Sequence, residues 1–279
     1  MNKHIVCASL AVLAAGISTP AFAQTVGVVS AVISDVRMAN TTNAQAHAAQ
    51  VKERVALGNQ IATGRSSALQ ILLLDRTNFQ VGANARIIVD RFIYDPARSA
   101  SSVGVSVTKG AFRFMSGKPT HAKPGQSSIR TPVASIGIRG TIVEGVVGED
   151  AIAIARAEAG VPSLSGADPA TASLILLRGP GAGAQGELPG AIDVTANGKT
   201  VAVERGGYAV FIPGPNQDPI GPFLLSDEGL ARLATLLNDP RRRGSVYLSD
   251  PLEQNPVIDW YFQVEAERGQ FGDPIQSGP

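Results

Sequence analysis

Short β-branched segments separated by turn residues recur along this chain, and they limit the folds open to it. Val103, Val105 and Val107 alternate with small or polar residues, as in a strand with one buried face. The run from Ala68 to Leu74 is apolar almost throughout, which is typical of a strand buried on both faces. The 30 glycines and 18 prolines among 279 residues favour turns over long helices. These patterns predict a mainly β protein with many short strands.

The strongest turn signal is Asn197-Gly198, because both residues tolerate the positive φ angles of a type I′ turn. A two-residue turn at this position places Val194 opposite Val201 and Ile192 opposite Val203. The apolar side chains then share one face of the hairpin, and this agreement supports the register.

A second two-residue turn is predicted at Lys109-Gly110. It would place Val107 opposite Phe112 and Val105 opposite Phe114, so that the apolar pairs again share one face. We therefore expect the chain to reverse direction at Gly110 and to form a hairpin there.

The C-terminal part carries helix signals. Ser226 is a good N-cap, and Asp227 and Glu228 suit the positive end of a helix dipole. An apolar stripe at helical spacing follows at Leu230, Leu233, Ala234 and Leu237. A second helix is predicted from Pro256 to Gly269, but a strand is also open there. The alternating residues are Ile258, Trp260, Phe262 and Val264.

The first 23 residues have the pattern of a Sec-type signal peptide. Lys3 precedes an uncharged run from Ile5 to Ile17, and cleavage is predicted between Ala23 and Gln24. The run is too short to span a bilayer, which needs about 20 residues. We therefore expect a periplasmic or secreted protein with no transmembrane segment after cleavage. The mature chain would be free of cysteine, because Cys7 is the single cysteine.

The charge is balanced overall but not along the chain. The net charge of +1 argues against nucleic acid as a partner. Residues 24–148 hold 14 Lys and Arg against 6 Asp and Glu, whereas residues 149–279 hold 9 against 17. Two interpretations follow: the halves dock on each other, or the basic half meets an anionic envelope component or an envelope protein.

No motif with a catalytic mechanism is present, and we predict no enzyme activity, metal site or cofactor. Gly181 to Gly186 matches a dinucleotide-binding pattern, but Pro189-Gly190 follows where a helix should begin, so a linker is the better interpretation. His47 and His121 lie in polar segments and are interpreted as solvated. Arg241-Arg242-Arg243 is interpreted as a solvated cluster near the end of a helix.

Several segments, in order, resemble the FecR domain, the periplasmic domain of the iron-dicitrate sensor family. Leu57 to Ala68 resembles the family's Gly-Asp-x-Ile-x-Thr-Gly segment, and Thr108 to Arg113 resembles its later glycine-centred hairpin. Ile129 to Ala134 and Ile138 to Thr141 resemble its closing Thr-Pro and Arg-Gly-Thr signature. One departure is Arg76, which stands where the family usually has glycine after Asp75.

The resemblance implies a two-layer sandwich of short strands or a solenoid-like β-roll. The expected organisation is a FecR-like β-domain at 24–148, a Gly-rich β extension at 149–225 and a helical segment with a tail at 226–279. The motif positions are expected to be structural, with no identified ligand-binding role. They are Gly58, Thr63, Gly64, Ser66, Asp75, Gly110, Thr131, Pro132, Arg139, Gly140 and Thr141.

Arg139 allows two interpretations. Its guanidinium could bind an anionic ligand through two parallel hydrogen bonds. Alternatively, it could pair with an internal acid while Gly140 permits a bend in the strand. The second interpretation is favoured. For the whole protein we expect a non-catalytic binding or sensing module of the bacterial envelope. A structural or adhesive cell-surface component is one alternative, and an enzyme with an unrecognised site is another.

Overall fold

The protein is mainly β, as predicted, and contains two described helices. The computed structural model describes residues 24–40, 45–95, 100–117, 127–179 and 190–237. The predicted signal peptide, His121, the segment 181–186, Arg241 to Arg243 and the segment after Pro256 lie outside the described residues.

The strands form two layers, which we call sheet A and sheet B. Sheet A contains, in spatial order, β4 (Arg54–Ala56), β1 (Thr25–Ile33), β6 (Ala68–Leu73), β7 (Asn78–Val81), the second part of β9 (Ala100–Met115), β12 (Ile142–Val147), β13 (Ser173–Gly179), β16 (Tyr208–Ile212) and β17 (Ile220–Leu224). Sheet B contains β3 (His47–Ala48), β2 (Val36–Ala39), β5 (Gln60–Thr63), β8 (Arg86–Asp95), the first part of β9, β10 (Ser127–Arg130), β11 (Ser135–Arg139), β14 (Ala191–Ala196) and β15 (Lys199–Val203). The described pairs are antiparallel except β9–β10.

Strand β9 belongs to both sheets, and the predicted turn at Lys109-Gly110 is wrong. The strand continues without reversal from Ala100 to Met115. Its first part pairs with β8 in sheet B, and its second part pairs with β7 and β12 in sheet A. Gly110, with a φ of 81°, lies where the strand passes from one layer to the other. The glycine therefore marks a bend between the two layers and not a chain reversal. The sequence pattern did not show this, because the strands that pair with β9 on either side of the bend are distant in sequence.

The main core lies between the two sheets. Sheet A contributes large side chains such as Phe79, Phe112 and Phe114, and sheet B contributes mostly valine and isoleucine, including Val105 and Ile136. The ring of Phe79 packs on both phenylalanines of β9, with centroids 6.3 Å and 6.2 Å away. Burial of these alternating side chains holds the two layers face to face.

Sheet A is also covered on its outer face. Helices α1 (Glu149–Ala155) and α2 (Asp227–Leu236) pack there in a second apolar cluster, which includes Leu174, Phe211 and Leu233. Strand β13 is therefore buried on both faces, which explains its continuous apolar sequence. No described helix covers the outer face of sheet B, so the two faces of the sandwich differ.

The hairpin at Asn197-Gly198 has the predicted register. Strands β14 and β15 pair Val194 with Val201 and Ile192 with Val203. Both turn residues have positive φ, 48° and 73°. On the outer face the hydroxyl oxygens of Thr195 and Thr200 lie 2.8 Å apart, which is hydrogen-bond distance.

Helix α2 begins as predicted. The Ser226 hydroxyl accepts a hydrogen bond from the Gly229 amide at 3.1 Å and donates one to the buried Glu158 carboxylate at 2.7 Å. Leu233 and Leu237 are buried on the predicted stripe. Helix α1 was not predicted, because it is only seven residues long and its apolar face is short.

The basic and acidic parts of the chain meet through strand pairing. β12 pairs with β13 and β11 pairs with β14, so residues after 149 extend both sheets. Two ion pairs accompany these ladders: Arg139 lies 3.2 Å from Asp193, and Arg178 lies 3.7 Å from the buried Glu144. The predicted domain boundaries at 148 and 225 remain predictions.

Candidate functional site

A buried polar network surrounds Asp75, one of the motif positions. Asp75 lies in the turn between β6 and β7 and is 0% exposed. Its carboxylate accepts hydrogen bonds from the Thr77 amide and hydroxyl, both at 2.9 Å, and from the Ser101 hydroxyl. Ser101 belongs to the first part of β9, so the carboxylate joins a turn of sheet A to a strand of sheet B.

The network continues from Thr77 to Thr141, a second motif position. The Thr77 hydroxyl accepts from the Gly117 amide at 3.1 Å. The neighbouring Ser116 amide and hydroxyl both donate to the Thr141 carbonyl, at 3.2 and 3.1 Å. The Thr141 hydroxyl then donates to the Gly179 carbonyl at 2.6 Å. Two motif segments that are distant in sequence are therefore joined by hydrogen bonds at one end of the sandwich.

The electrostatics of this network are dominated by burial. Burial raises the pKa of Asp75, and the hydrogen bonds from Ser101 and Thr77 oppose that change only in part. The pKa of Tyr94 is also raised, first by burial and then by the negative charge of Asp75. These donors satisfy the carboxylate within the protein, so the Asp75 network acts as a structural link between sheets.

The first motif segment forms a second link. The Thr63 hydroxyl donates to the Gly82 carbonyl at 2.5 Å and accepts from the Ala85 amide at 2.9 Å. The Gly64 carbonyl accepts from the Asn84 amide at 3.1 Å. These bonds tie the end of β5 to the β7–β8 connection.

Two further positions of the first motif segment, and Arg76 after Asp75, lie at turns. Gly58 has a φ of 84°, and its amide donates to the Val89 carbonyl at 2.8 Å. Ser66 has a φ of 55° in the β5–β6 turn. Arg76 has a φ of 65°, so it adopts the left-handed conformation at the position where the family usually has glycine.

The Thr131-Pro132 segment forms the β10–β11 turn. The Thr131 amide donates to the Ala134 carbonyl at 2.9 Å, and the Ala134 amide donates back to the Thr131 hydroxyl at 3.1 Å. The Ser173 hydroxyl donates to the same threonine oxygen at 3.1 Å. Pro132 is exposed at the tip of the turn.

Arg139 lies at the end of β11 and contacts two acids of the following hairpin. Its guanidinium is 3.2 Å from Asp193 and 3.7 Å from Glu204. Gly140 follows with a φ of 57°, where the chain crosses from sheet B to sheet A. In this structure the arginine is engaged by carboxylates of its own chain.

The outer face of sheet B carries a charged cluster that sequence reasoning missed. We call it the Asp90 cluster; its members are Asp90, Arg91, Ser106, Ser128 and Arg130. The pairing of β8 with β9 shifts between Val89 and Arg91, so Asp90 is an extra residue in a bulge. A bulge places two successive side chains on one face. In the sequence, the signal that could have indicated this bulge is the adjacent charged pair Asp90-Arg91 within the otherwise apolar centre of β8.

The Asp90 cluster combines hydrogen-bonded side chains with an exposed arginine. One oxygen of the Asp90 carboxylate accepts from the Arg130 guanidinium at 2.9 Å and from the Ser106 hydroxyl at 2.5 Å. The other oxygen is buried and has no hydrogen-bond partner among the described residues. Arg91 donates to the Ser128 hydroxyl at 3.3 Å. The Arg130 side chain is 61% exposed and can therefore contact a partner directly.

Gly104 leaves the space for this arrangement on β9. A Cβ at that position would lie 2.9 Å from the Arg91 Cβ and 2.9 Å from the Asp90 carboxylate. Any side chain at position 104 would therefore displace Asp90 and Arg91. The Asp90 cluster can form only because this residue is glycine.

Among the residues that the structure describes, no candidate metal site is found. No set of three or more His, Cys, Asp or Glu is placed to hold an ion there. His47 lies 2.5 Å from the Glu53 carboxylate at the surface. Neither described helix is long and apolar enough to cross a lipid bilayer.

Comparison with family models identifies the central part of the chain. The model described as FecR protein matches residues 59–161. The chain contains a FecR domain. The match confirms the resemblance expected from the sequence, and it includes Asp75, Thr141 and the Asp90 cluster.

Solved structures provide more distant likenesses. Two crystal structures, each of a protein described as an anti-sigma factor from Parabacteroides distasonis, are 14% and 13% identical, with TM-scores of 0.37 and 0.35. Each alignment covers 58% of this chain and 57% of the other. A structure described as a cell surface anchoring domain is 17% identical over 23% of this chain and 84% of its own length, with a TM-score of 0.22. No curated protein matches.

Proposed function

We propose that this protein is an exported, non-catalytic FecR-type module that binds an envelope protein through the outer face of sheet B. The observation that carries the proposal is the Asp90 cluster. It presents the Arg130 side chain, which is 61% exposed, on a face that no described helix covers. Charged and hydrogen-bonding groups of this kind give orientation and specificity to a protein interface.

The two faces of the sandwich support this choice of surface. The outer face of sheet A is occupied by α1 and α2 through an apolar cluster. The outer face of sheet B is polar, and serine and threonine alternate there with the charged residues. A polar sheet face suits a partner that binds and dissociates, since it is stable in water when it is free. The FecR match favours a protein as that partner.

Export is supported by the signal-peptide pattern of residues 1–23, and the residue after the predicted cleavage site is bonded to the sandwich. The Gln24 carbonyl accepts a hydrogen bond from the Leu57 amide at 2.8 Å, and β1 starts at the next residue. Gln24 is also the residue predicted to become the N-terminus after cleavage.

The first prediction concerns export. When the gene is expressed in a Gram-negative host, we expect the protein in the periplasmic fraction. Its intact mass should correspond to a chain that begins at Gln24. Ala23→Arg removes the small residue that signal peptidase requires and should leave the precursor uncleaved. The control is Ala202→Arg, because Ala202 lies on an exposed strand and the variant should be processed normally. Ala31→Arg would not serve as the control, because it would disturb β1. A wild-type protein that keeps residues 1–23 in the cytoplasm would contradict export.

The second prediction concerns the Asp90 cluster. Immobilised wild-type protein is used to capture a partner from periplasmic extract, and the affinity is then measured with that purified partner. We expect Arg91→Ala/Arg130→Ala to weaken binding by at least about tenfold, which corresponds to about 1.4 kcal/mol. Added salt should weaken wild-type binding as well, because the contacts are charged.

The matched control is Arg232→Ala on α2. This arginine is also half exposed and donates to the Ala153 carbonyl at 3.1 Å, but it lies on the opposite side of the molecule. Its loss should leave the affinity unchanged. Equal binding by the double variant and the wild type, with both folded, would show that the partner uses another surface.

A further inference from the structure

The turn of the β14–β15 hairpin carries a chemically reactive pair of residues. Asn197 and Gly198 are both exposed, and both have positive φ angles. The ladder of the hairpin reaches the pair Ala196 and Lys199, so the hydrogen bond of the turn uses the amide of Lys199 and not that of Gly198. The side-chain amide of Asn197 is therefore next to a backbone nitrogen that is exposed and outside the ladder.

The space around Gly198 permits the backbone to change conformation there. An added Cβ at this position would meet nothing within 4 Å. Glycine is also the residue that restricts backbone rotation least. The Gly198 nitrogen can therefore approach the side-chain carbonyl carbon of Asn197 without a steric obstacle from another part of the chain.

Two other asparagines show what is particular to this turn. Asn84 and Asn216 are also exposed, and their φ angles of 52° and 58° are also left-handed. After Asn84, the amide of Ala85 donates to a threonine hydroxyl at 2.9 Å. After Asn216, the amide of Gln217 donates to a glycine carbonyl at 3.3 Å. In both cases the nitrogen that would react is hydrogen-bonded and belongs to a residue with a side chain, whereas Gly198 has no side chain and the turn bond does not use its amide.

We infer that Asn197-Gly198 is a site of spontaneous deamidation and that Asp218 slows the reaction. The Gly198 nitrogen, after it loses its proton to water, attacks the side-chain carbonyl carbon of Asn197. The new N–C bond closes a succinimide ring, and the bond to the side-chain nitrogen breaks as that nitrogen takes up a proton and leaves as ammonia. Water then adds to one of the two ring carbonyls and opens the ring to aspartate or isoaspartate. This inference is independent of the proposed partner-binding face.

Asp218 is the group that opposes this reaction. One oxygen of its carboxylate accepts from the side-chain amide of Asn197 at 2.8 Å, and the other accepts from the Lys199 ammonium at 2.7 Å. The first bond holds the amide group that has to leave. Attack by the Gly198 nitrogen also creates negative charge on the Asn197 side chain, which a carboxylate at this distance destabilises. Without Asp218, the Lys199 ammonium would be left to stabilise that charge.

The reaction would change how the hairpin is connected to sheet A. Asp218 lies in the connection between β16 and β17, so its bonds to Asn197 and Lys199 link a turn of sheet B to a loop of sheet A. An acid at position 197 lacks the amide donor and places a second carboxylate beside Asp218, and like charges repel each other. The modified hairpin would therefore keep the Lys199 contact to this loop and lose the contact from position 197.

Peptide mass spectrometry of the purified protein tests the inference. After incubation at mildly alkaline pH and physiological temperature, the peptide that contains Asn197 should gain the mass of an amide-to-acid conversion. The peptides that contain Asn84 and Asn216 should not gain it over the same time. Chromatography should separate two products, aspartate and isoaspartate, because the ring opens at either carbonyl. Asp218→Ala should increase the rate at Asn197 several-fold.

The matched control is Asp35→Ala, which also removes an exposed, ion-paired carboxylate but lies beside β2, toward the other edge of sheet B. It should deamidate at the wild-type rate. Gly198→Ala should slow the reaction, because the added side chain hinders attack by the nitrogen at position 198. Circular dichroism verifies that each variant remains folded. No acid at position 197 in Asp218→Ala, or equal rates in Asp218→Ala and Asp35→Ala, would overturn the inference. Aspartate without isoaspartate would indicate direct hydrolysis by water and would also overturn it.

Discussion

Gly110→Ala is expected to reduce the free energy of unfolding by about 2 to 5 kcal/mol, because it combines backbone strain with a steric clash. Gly110 has a φ of 81°, and an added Cβ would lie 2.4 Å from the Ala85 Cα and 2.6 Å from the Ala85 nitrogen. Both contacts are with backbone, so no side-chain rotation can relieve them. The change acts where β9 passes between the sheets, and chemical denaturation in urea measures it.

Gly198→Ala separates the two contributions. Gly198 also has a positive φ, 73°, but an added Cβ would meet nothing within 4 Å. It should cost only the backbone strain, about 1 kcal/mol. Equal losses for the two variants would show that the approach of Ala85 to β9 does not constrain the bend.

Asp75→Ala is expected to reduce the free energy of unfolding by about 3 to 5 kcal/mol, because it leaves buried donors without an acceptor. The donors are the Thr77 amide, the Thr77 hydroxyl and the Ser101 hydroxyl. Thr77 and Ser101 are buried, so water cannot readily replace the carboxylate. Urea unfolding of the wild type and the variant at one pH measures the loss.

Asp168→Ala is the matched control. Asp168 accepts from the Ala170 amide at 2.9 Å and from the Thr171 hydroxyl at 2.6 Å, much as Asp75 does in its turn. It lies near the surface, where water can take over both bonds, so its loss should be clearly smaller. A similar loss at both positions would mean that burial of the Asp75 network adds nothing to stability.

The pH dependence of Asp75 has a defined sign. Burial raises the pKa of Asp75 in the folded state, so the folded protein binds a proton more tightly than the unfolded chain does. The stability from this group is complete below the ordinary aspartate pKa of about 4 and is lost as pH rises through the raised value. The wild type should therefore lose stability relative to Asp75→Asn as pH rises above about 4. A constant or increasing difference would contradict this.

Asp168 should show the opposite dependence. The hydrogen bond from Thr171, followed by that from Ala170, lowers its pKa. Its contribution is present above the ordinary aspartate value and is lost as pH falls through the lowered one. Comparing the two positions tests burial as the cause, since their hydrogen-bond donors are similar.

Features that depend on neighbours in sequence could be predicted from the sequence. The hairpin at Asn197-Gly198 has the predicted register, because turn geometry and side-chain alternation act over a few residues. The start of α2 follows from the Ser226 cap and the stripe of apolar residues. The mainly β class follows from the short strands, and the family motifs pointed to the FecR domain that the model match confirms.

Features that join distant segments were decided by the tertiary structure. Gly110 looked like a reversal, but it bends a continuous strand, because β7, β8 and β12 provide partners on both sides of the bend. The contact chain from Asp75 to Thr141 and the bulge at Asp90 depend on pairings that no local pattern contains. Local energies determine strand period, turns and helix caps, whereas the choice of partner strands depends on burying one common core. The sequence alone therefore determined the mainly β class, the Asn197-Gly198 hairpin, the start of α2 and the family resemblance, and the tertiary structure decided which strands pair and which side chains meet.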